Sequence, residues 1–96
     1  MPAYLVAQLE VQDQDMYQRY RDQVGPLVDR FGGRFLVRGG RLEVREGDWP
    51  LKRLVVIEFQ SLQAARHFYD SPEYQRILPL RTGASRGALA LVEGVD

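Results

Sequence analysis

Residues 53–59 read Arg53-Leu54-Val55-Val56-Ile57-Glu58-Phe59. This run is rich in β-branched and aromatic residues and too short for a helix, so it predicts a buried, central strand. Strand side chains alternate between faces. Val55, Ile57 and Phe59 therefore share one face, and Leu54, Val56 and Glu58 share the other. Both faces carry aliphatic residues, so both sides of the sheet need cover.

Upstream, Gly47-Asp48-Trp49-Pro50 reads as a turn. Residues 41–46 (RLEVRE) alternate polar and apolar, as a half-exposed strand does. They follow Gly39-Gly40, a bend, and a strand over residues 34–38 (RFLVR). Further back, Tyr17, Tyr20, Val24, Leu27 and Phe31 are offset by 3, 7, 10 and 14 residues, one apolar helical stripe. Asp13 is placed to cap that helix and Gly32-Gly33 to end it, with a kink or break expected near Gly25-Pro26. Residues 3–11 (AYLVAQLEV) predict the first strand, with Leu5, Ala7 and Leu9 facing the helices.

Downstream, Ser61 caps a helix carrying Leu62, Ala65, Phe68 and Tyr69. Ser71-Pro72 restarts a short helix that Pro79 and Gly83 end, and residues 87–93 (GALALVE) form the last strand. Strand, helix, strand, strand, helix, strand is the split βαβ pattern: an α+β, ferredoxin-like βαββαβ sandwich with helices on one face of an antiparallel sheet. A helix-free face that carries aliphatics marks an interface, so a homodimer is expected.

Composition fits this reading. Ninety-six residues predict a single domain over 1–96, burying roughly 60–65% of its unfolded surface. Thirteen basic and thirteen acidic residues cancel, which gives no electrostatic argument for nucleic acid. The absence of cysteine removes disulfides, thiolate metal sites and a cysteine nucleophile together, and favours a cytoplasmic location. The start, Met1-Pro2-Ala3-Tyr4, lacks a basic region followed by an apolar run, so no signal peptide is expected. The longest apolar stretch, Leu54 to Ile57, is far too short to cross a membrane.

Few residues point to chemistry. His67, the only histidine, falls nearly opposite Leu62, Ala65, Phe68 and Tyr69 at about 100° per residue, so it faces solvent and offers no base or haem ligand. No metal and no cofactor are expected. No phosphate-loop spacing of glycines exists. Arg38 and Glu58 lie near the ends of paired strands, where a charge beside an apolar run needs a partner. Two readings compete. They form a mutual ion pair, or Arg38 binds a carboxylate or oxyanion with Glu58 as a candidate base. Tyr17, Tyr20, Tyr69 and Tyr74 read as core or pocket wall, and Arg81 as reaching a cleft or a helix end.

The chain also resembles a known family. Arg38-Gly39-Gly40, Glu46-Gly47-Asp48-Trp49-Pro50, Arg53 to Phe59, Phe68-Tyr69-Asp70-Ser71-Pro72-Glu73-Tyr74 and Arg81 are similar, in that order, to domain-of-unknown-function family 1330 in the dimeric α+β barrel superfamily. The resemblance spans nearly the whole chain. It implies a ferredoxin-like fold and a homodimer whose sheets face each other, and it gives Arg38, Tyr69, Tyr74 and Arg81 a shared ligand-binding role. It implies no activity. Related families include haem-degrading and cofactor-free monooxygenases and lactone isomerases. The expected function is accordingly small-molecule binding, or cofactor-free chemistry on a small anionic or aromatic ligand; the alternative is a non-catalytic dimerisation or ligand-sensing module.

Overall fold

The first strand, β1 (Ala3–Val11), ends where Asp13 begins α1 (Gln14–Arg30) by accepting the Met16 amide at 3.0 Å. This bond satisfies one of the helix's free N–H groups. The helix leaves through Gly32, whose φ of 78° is the left-handed value that a side chain disfavours. Strand β2 (Arg34–Arg38) comes next, then an irregular segment, then β3 (Arg53–Phe59). Ser61 caps α2 (Leu62–Asp70). The Ser71 hydroxyl donates to Phe68 O of α2 at 2.8 Å and accepts from Tyr74 N of α3 (Pro72–Ala84) at 3.1 Å, so one side chain stitches two helices end to end. Strand β4 (Ser85–Glu93) closes the chain. This computed structural model describes residues 1–95.

The four strands run in the order β2-β3-β1-β4, and every neighbouring pair is antiparallel. Leu5, Ala7 and Leu9 of β1 and Val55, Ile57 and Phe59 of β3 are buried against the helices, as their alternation predicts. Tyr17, Tyr20, Val24, Leu27 and Val28 of α1 and Phe68, Tyr74 and Ile77 of the later helices complete that core. The opposite sheet face carries Tyr4, Val6, Val37, Leu54 and Val56, with no helix over it.

Three expectations are corrected. Residues 41–46 form no strand: the segment between β2 and β3 is irregular, and most of its side chains are exposed. Its alternation has no core to serve, because β3 already pairs with β2 on one side and β1 on the other. Helix α1 is not broken at Pro26. The carbonyl that Pro26 leaves without a donor belongs to Asp22, and both residues are exposed, so water can satisfy it. Likewise α3 runs through Pro79 to Ala84, and β4 begins at Ser85 rather than at residue 87. Pro79 is exposed, while Ile77, Arg81 and Ala84 hold the other side of the helix in the core.

Candidate functional site

Between α1 and the sheet lies a narrow cleft of about 20 Å³, room for about one water. Tyr17, Tyr20, Arg21 and Val24 line it from α1, Phe35 and Arg38 from β2, and Arg81 from α3. Aliphatic residues of β1, β3 and β4 form its floor, with Phe68 of α2.

Arg38 reaches this cleft because β2 is irregular. Arg34 pairs with Glu58 and Phe35 with Ile57, but Val37 pairs with Val56 and Arg38 with Val55. Leu36 is thus an extra residue, a β-bulge, and it changes the parity of Val37 and Arg38. In a regular strand Arg38 would share the face of Arg34, away from the helices. With the bulge it turns inward beside Phe35, and its guanidinium lies 4.1 Å from the Phe35 ring centroid. Its Nη2 donates to Arg21 O on α1 at 3.2 Å.

Arg38 and Glu58 therefore form no pair. Glu58 sits on the helix-free face and accepts from Arg34 Nη2 at 2.7 Å. The expected Arg38–Glu58 ion pair, and with it the joint site using Glu58 as base, is replaced by an Arg34–Glu58 bridge outside the cleft.

The other expected site residues divide. Arg81 is buried and lines the cleft. Tyr74, at 1% exposure, stands behind it: its hydroxyl accepts from Arg81 Nε at 3.4 Å and shares a 2.9 Å hydrogen bond with the Tyr20 hydroxyl. Tyr69 does not line the cleft; its ring packs 5.3 Å from that of Tyr74. His67 is exposed on the far side of α2, beside the Phe31 ring, as its helical phase predicts.

Arg21 is the functional residue that sequence reasoning missed. It stands four positions after Tyr17 and three before Val24, so it occupies the apolar stripe of α1. A cation at a stripe position was the available signal. Its Nε is buried without a hydrogen-bond partner among the described residues. Arg53 adds charge nearby, donating from Nε to the Tyr17 hydroxyl at 3.1 Å.

These charges are not neutralised locally. Of the side chains lining the cleft three are arginines, and none is a carboxylate. Burial, and then the neighbouring Arg21 and Arg53 guanidiniums, pull Arg38 below the usual arginine range. Burial pushes the Tyr20 phenol far above its ordinary value of 10.0, and the contact with Tyr74 adds to this. Tyr20 is therefore a neutral hydroxyl at all physiological pH values. Among the described residues no group of histidines and carboxylates could hold a metal ion, and no helix is long and apolar enough to cross a membrane.

The architecture defines a ferredoxin-like α+β protein with a cationic, aromatic-walled cleft under its first helix. Residues 2–95 match the family described as a domain of unknown function, DUF1330, and the chain belongs to that family. It is similar in structure to RPA0582 of Rhodopseudomonas palustris, a protein of unknown function, at 17% identity and a TM-score of 0.78 over 99% of this chain and 83% of that one. It is also similar to SnoaB, a cofactor-independent oxygenase from Streptomyces nogalater, at 13% identity and a TM-score of 0.72 over 99% and 94% of the two chains. A dimeric ferredoxin-like protein of unknown function from Jannaschia sp. CCS1 matches at 16% identity and a TM-score of 0.71 over 98% and 100%. At these identities the likeness speaks for the fold. No curated protein sequence matches the chain.

Proposed function

We propose that this protein binds a small organic anion in the cleft between α1 and the sheet, and that it does so as a homodimer. The observation that carries the first part is the convergence of Arg21, Arg38 and Arg81 on a cleft whose lining has no carboxylate. Guanidiniums held together without counter-charge repel one another, and an anion relieves that repulsion while engaging their N–H forks. Arg38 and Arg81 are the ligand-binding residues, Tyr74 holds Arg81, and Tyr69 supports Tyr74. Glu58 has no part in this site. A benzoate-sized anion enters only if α1 moves off the sheet, since the closed cleft has room for about one water; the aromatic walls then offer it a stacking surface. Cofactor-free chemistry on such a ligand is compatible with this lining and is what the SnoaB likeness suggests.

Support for the dimer comes from the helix-free sheet face. Tyr4, Val6, Val37 and Val56 lie there together, and each stays partly exposed in the single chain. The Jannaschia neighbour is described as dimeric.

Calorimetric titration with benzoate tests the anion site. Binding to the wild type, lost in Arg38→Gln without a change in melting temperature, is the expected result. Equal affinity in both proteins would remove Arg38 from the site.

A further inference from the structure

We propose that the closed cleft holds one weakly hydrated halide ion, chloride under ordinary conditions, against Arg21, and that an organic anion must displace it. This rests on the anion site proposed above and names the ion that fills that site before any organic ligand.

Size comes first. The closed cleft has room for about one water. A carboxylate, phosphate or sulfate carries several heavy atoms and does not fit there while α1 lies on the sheet. A chloride ion is a single atom not much larger than a water molecule, so small side-chain adjustments admit it.

Charge comes second. Arg21, Arg38 and Arg81 line the space, and no carboxylate does. The remaining lining is aliphatic or aromatic, with Leu5, Val55, Ile57 and Phe68 in its floor. Such walls screen poorly, so the guanidiniums repel one another and attract an anion more strongly than they would in water. A water molecule in the same space meets hydrogen bonds but leaves the charge unbalanced. The downward pull that burial, Arg21 and Arg53 exert on Arg38 reflects the same imbalance.

Unmet hydrogen bonding comes third. A guanidinium can only donate, and Arg21 Nε is buried with no acceptor among the described residues. Arg81 directs its Nε to the Tyr74 hydroxyl, and Arg38 directs Nη2 to Arg21 O, so protein oxygens anchor both. The Arg21 Nε–H is the donor left for an ion. The Tyr17 and Tyr20 hydroxyls can turn toward a water or an ion alike, and they do not decide between the two.

Hydration then selects among the halides. Water holds fluoride tightly, and apolar walls return little for stripping it. Chloride and bromide give up their water at lower cost.

Thermal unfolding of the full chain at constant ionic strength tests the ion. The midpoint should rise as sodium chloride replaces sodium fluoride, and this rise should be lost in Arg21→Gln. Non-specific salt effects run the other way, because strongly hydrated anions stabilise folded proteins more. Chloride at its half-saturating concentration should raise the apparent Kd of benzoate about twofold, as competition for one site requires. Crystals grown in sodium bromide should show anomalous density for one bromide in the cleft, within hydrogen-bond reach of Arg21 Nε. Should Arg21→Gln fold poorly, the bromide and benzoate measurements on the wild type carry the test. A cleft without bromide, or a benzoate affinity indifferent to chloride, overturns the inference and leaves the anion site standing. Binding of neither benzoate nor bromide overturns both.

Discussion

The hydroxyls of Tyr20 on α1 and Tyr74 on α3 lie 2.9 Å apart, and this hydrogen bond joins the two helices that roof the cleft. Their rings meet edge to face, with centroids 6.3 Å apart. The bond ties the roof of the cleft together.

Tyr74→Phe should therefore destabilise the fold by about 1–3 kcal/mol, because it leaves the buried Arg81 Nε–H without its acceptor. Chemical denaturation of the two proteins measures this. A variant as stable as the wild type would mean that the hydroxyl does no structural work.

Tyr20 also predicts how stability responds to alkali. Burial, aided by Tyr74, raises its ionisation above the ordinary 10.0 that applies in the unfolded chain. The folded state then keeps a proton that the unfolded state gives up. The contribution is whole below about pH 10 and is lost progressively as pH rises beyond it. Melting curves between neutral and strongly alkaline pH should fall less steeply for Tyr20→Phe than for the wild type. Parallel curves would contradict this.

Glu58 should couple to Arg34 and not to Arg38. The Arg34 side chain is 72% exposed, and the bridge lies on the sheet's outer face, so a double-mutant cycle of Arg34→Ala and Glu58→Ala should give about 0.2–1 kcal/mol. Arg38→Ala and Glu58→Ala should be additive. A loss of about 3–5 kcal/mol in Arg38→Ala, recovered by also replacing Glu58, would mean a buried Arg38–Glu58 pair after all.

The bulge at Leu36 can be tested by exchange and by deletion. Val37→Arg combined with Arg38→Val should move the guanidinium to the outer face and abolish benzoate binding. Deleting Leu36 removes one residue and one bulge together, so Val37 stays opposite Val56 and Arg38 opposite Val55. That deletion should preserve benzoate affinity to within a few-fold, and loss of binding would show that the local twist matters as well as the parity.

Val56→Glu places a charge in the middle of the helix-free face, opposite Val6. Sedimentation equilibrium should report twice the chain mass for the wild type and a folded monomer for the variant. A wild type that is monomeric and stably folded would remove the dimer.

The strands β1 and β3 and the stripe of α1 were legible because periodic burial writes directly into periodic sequence. Leu5, Ala7 and Leu9, with Val55, Ile57 and Phe59, are where alternation puts them. Residues 41–46 carry the same alternation without a partner strand, since pattern cannot tell whether a neighbour exists. The site was half legible for a related reason. Arg81 and Arg38 belong to segments that the resemblance singled out, but the face Arg38 occupies depends on one unpaired residue. Nothing in RFLVR announces that residue: simple alternation put Arg38 with Glu58, and the bulge separates them. Arg21 stands in plain view as a cation within an apolar stripe, but the tyrosines around it carry the stronger periodic signal.

The strand order has a consequence for how the chain is made. The first of this sheet's strands to be synthesised, β1, is interior to the sheet, between β3 and the last of them, β4. Of the sheet, β2 and β3 alone can pair locally, and even they are joined by a long irregular segment. The aliphatic residues of β1 must wait for partners 52 and 86 residues downstream, the separations between Leu5 and its partners Ile57 and Leu91. Non-local pairing of this kind slows folding and leaves an apolar edge open to other chains meanwhile. Chains cut short before residue 85 should be aggregation-prone during synthesis, though every helix they need is already present.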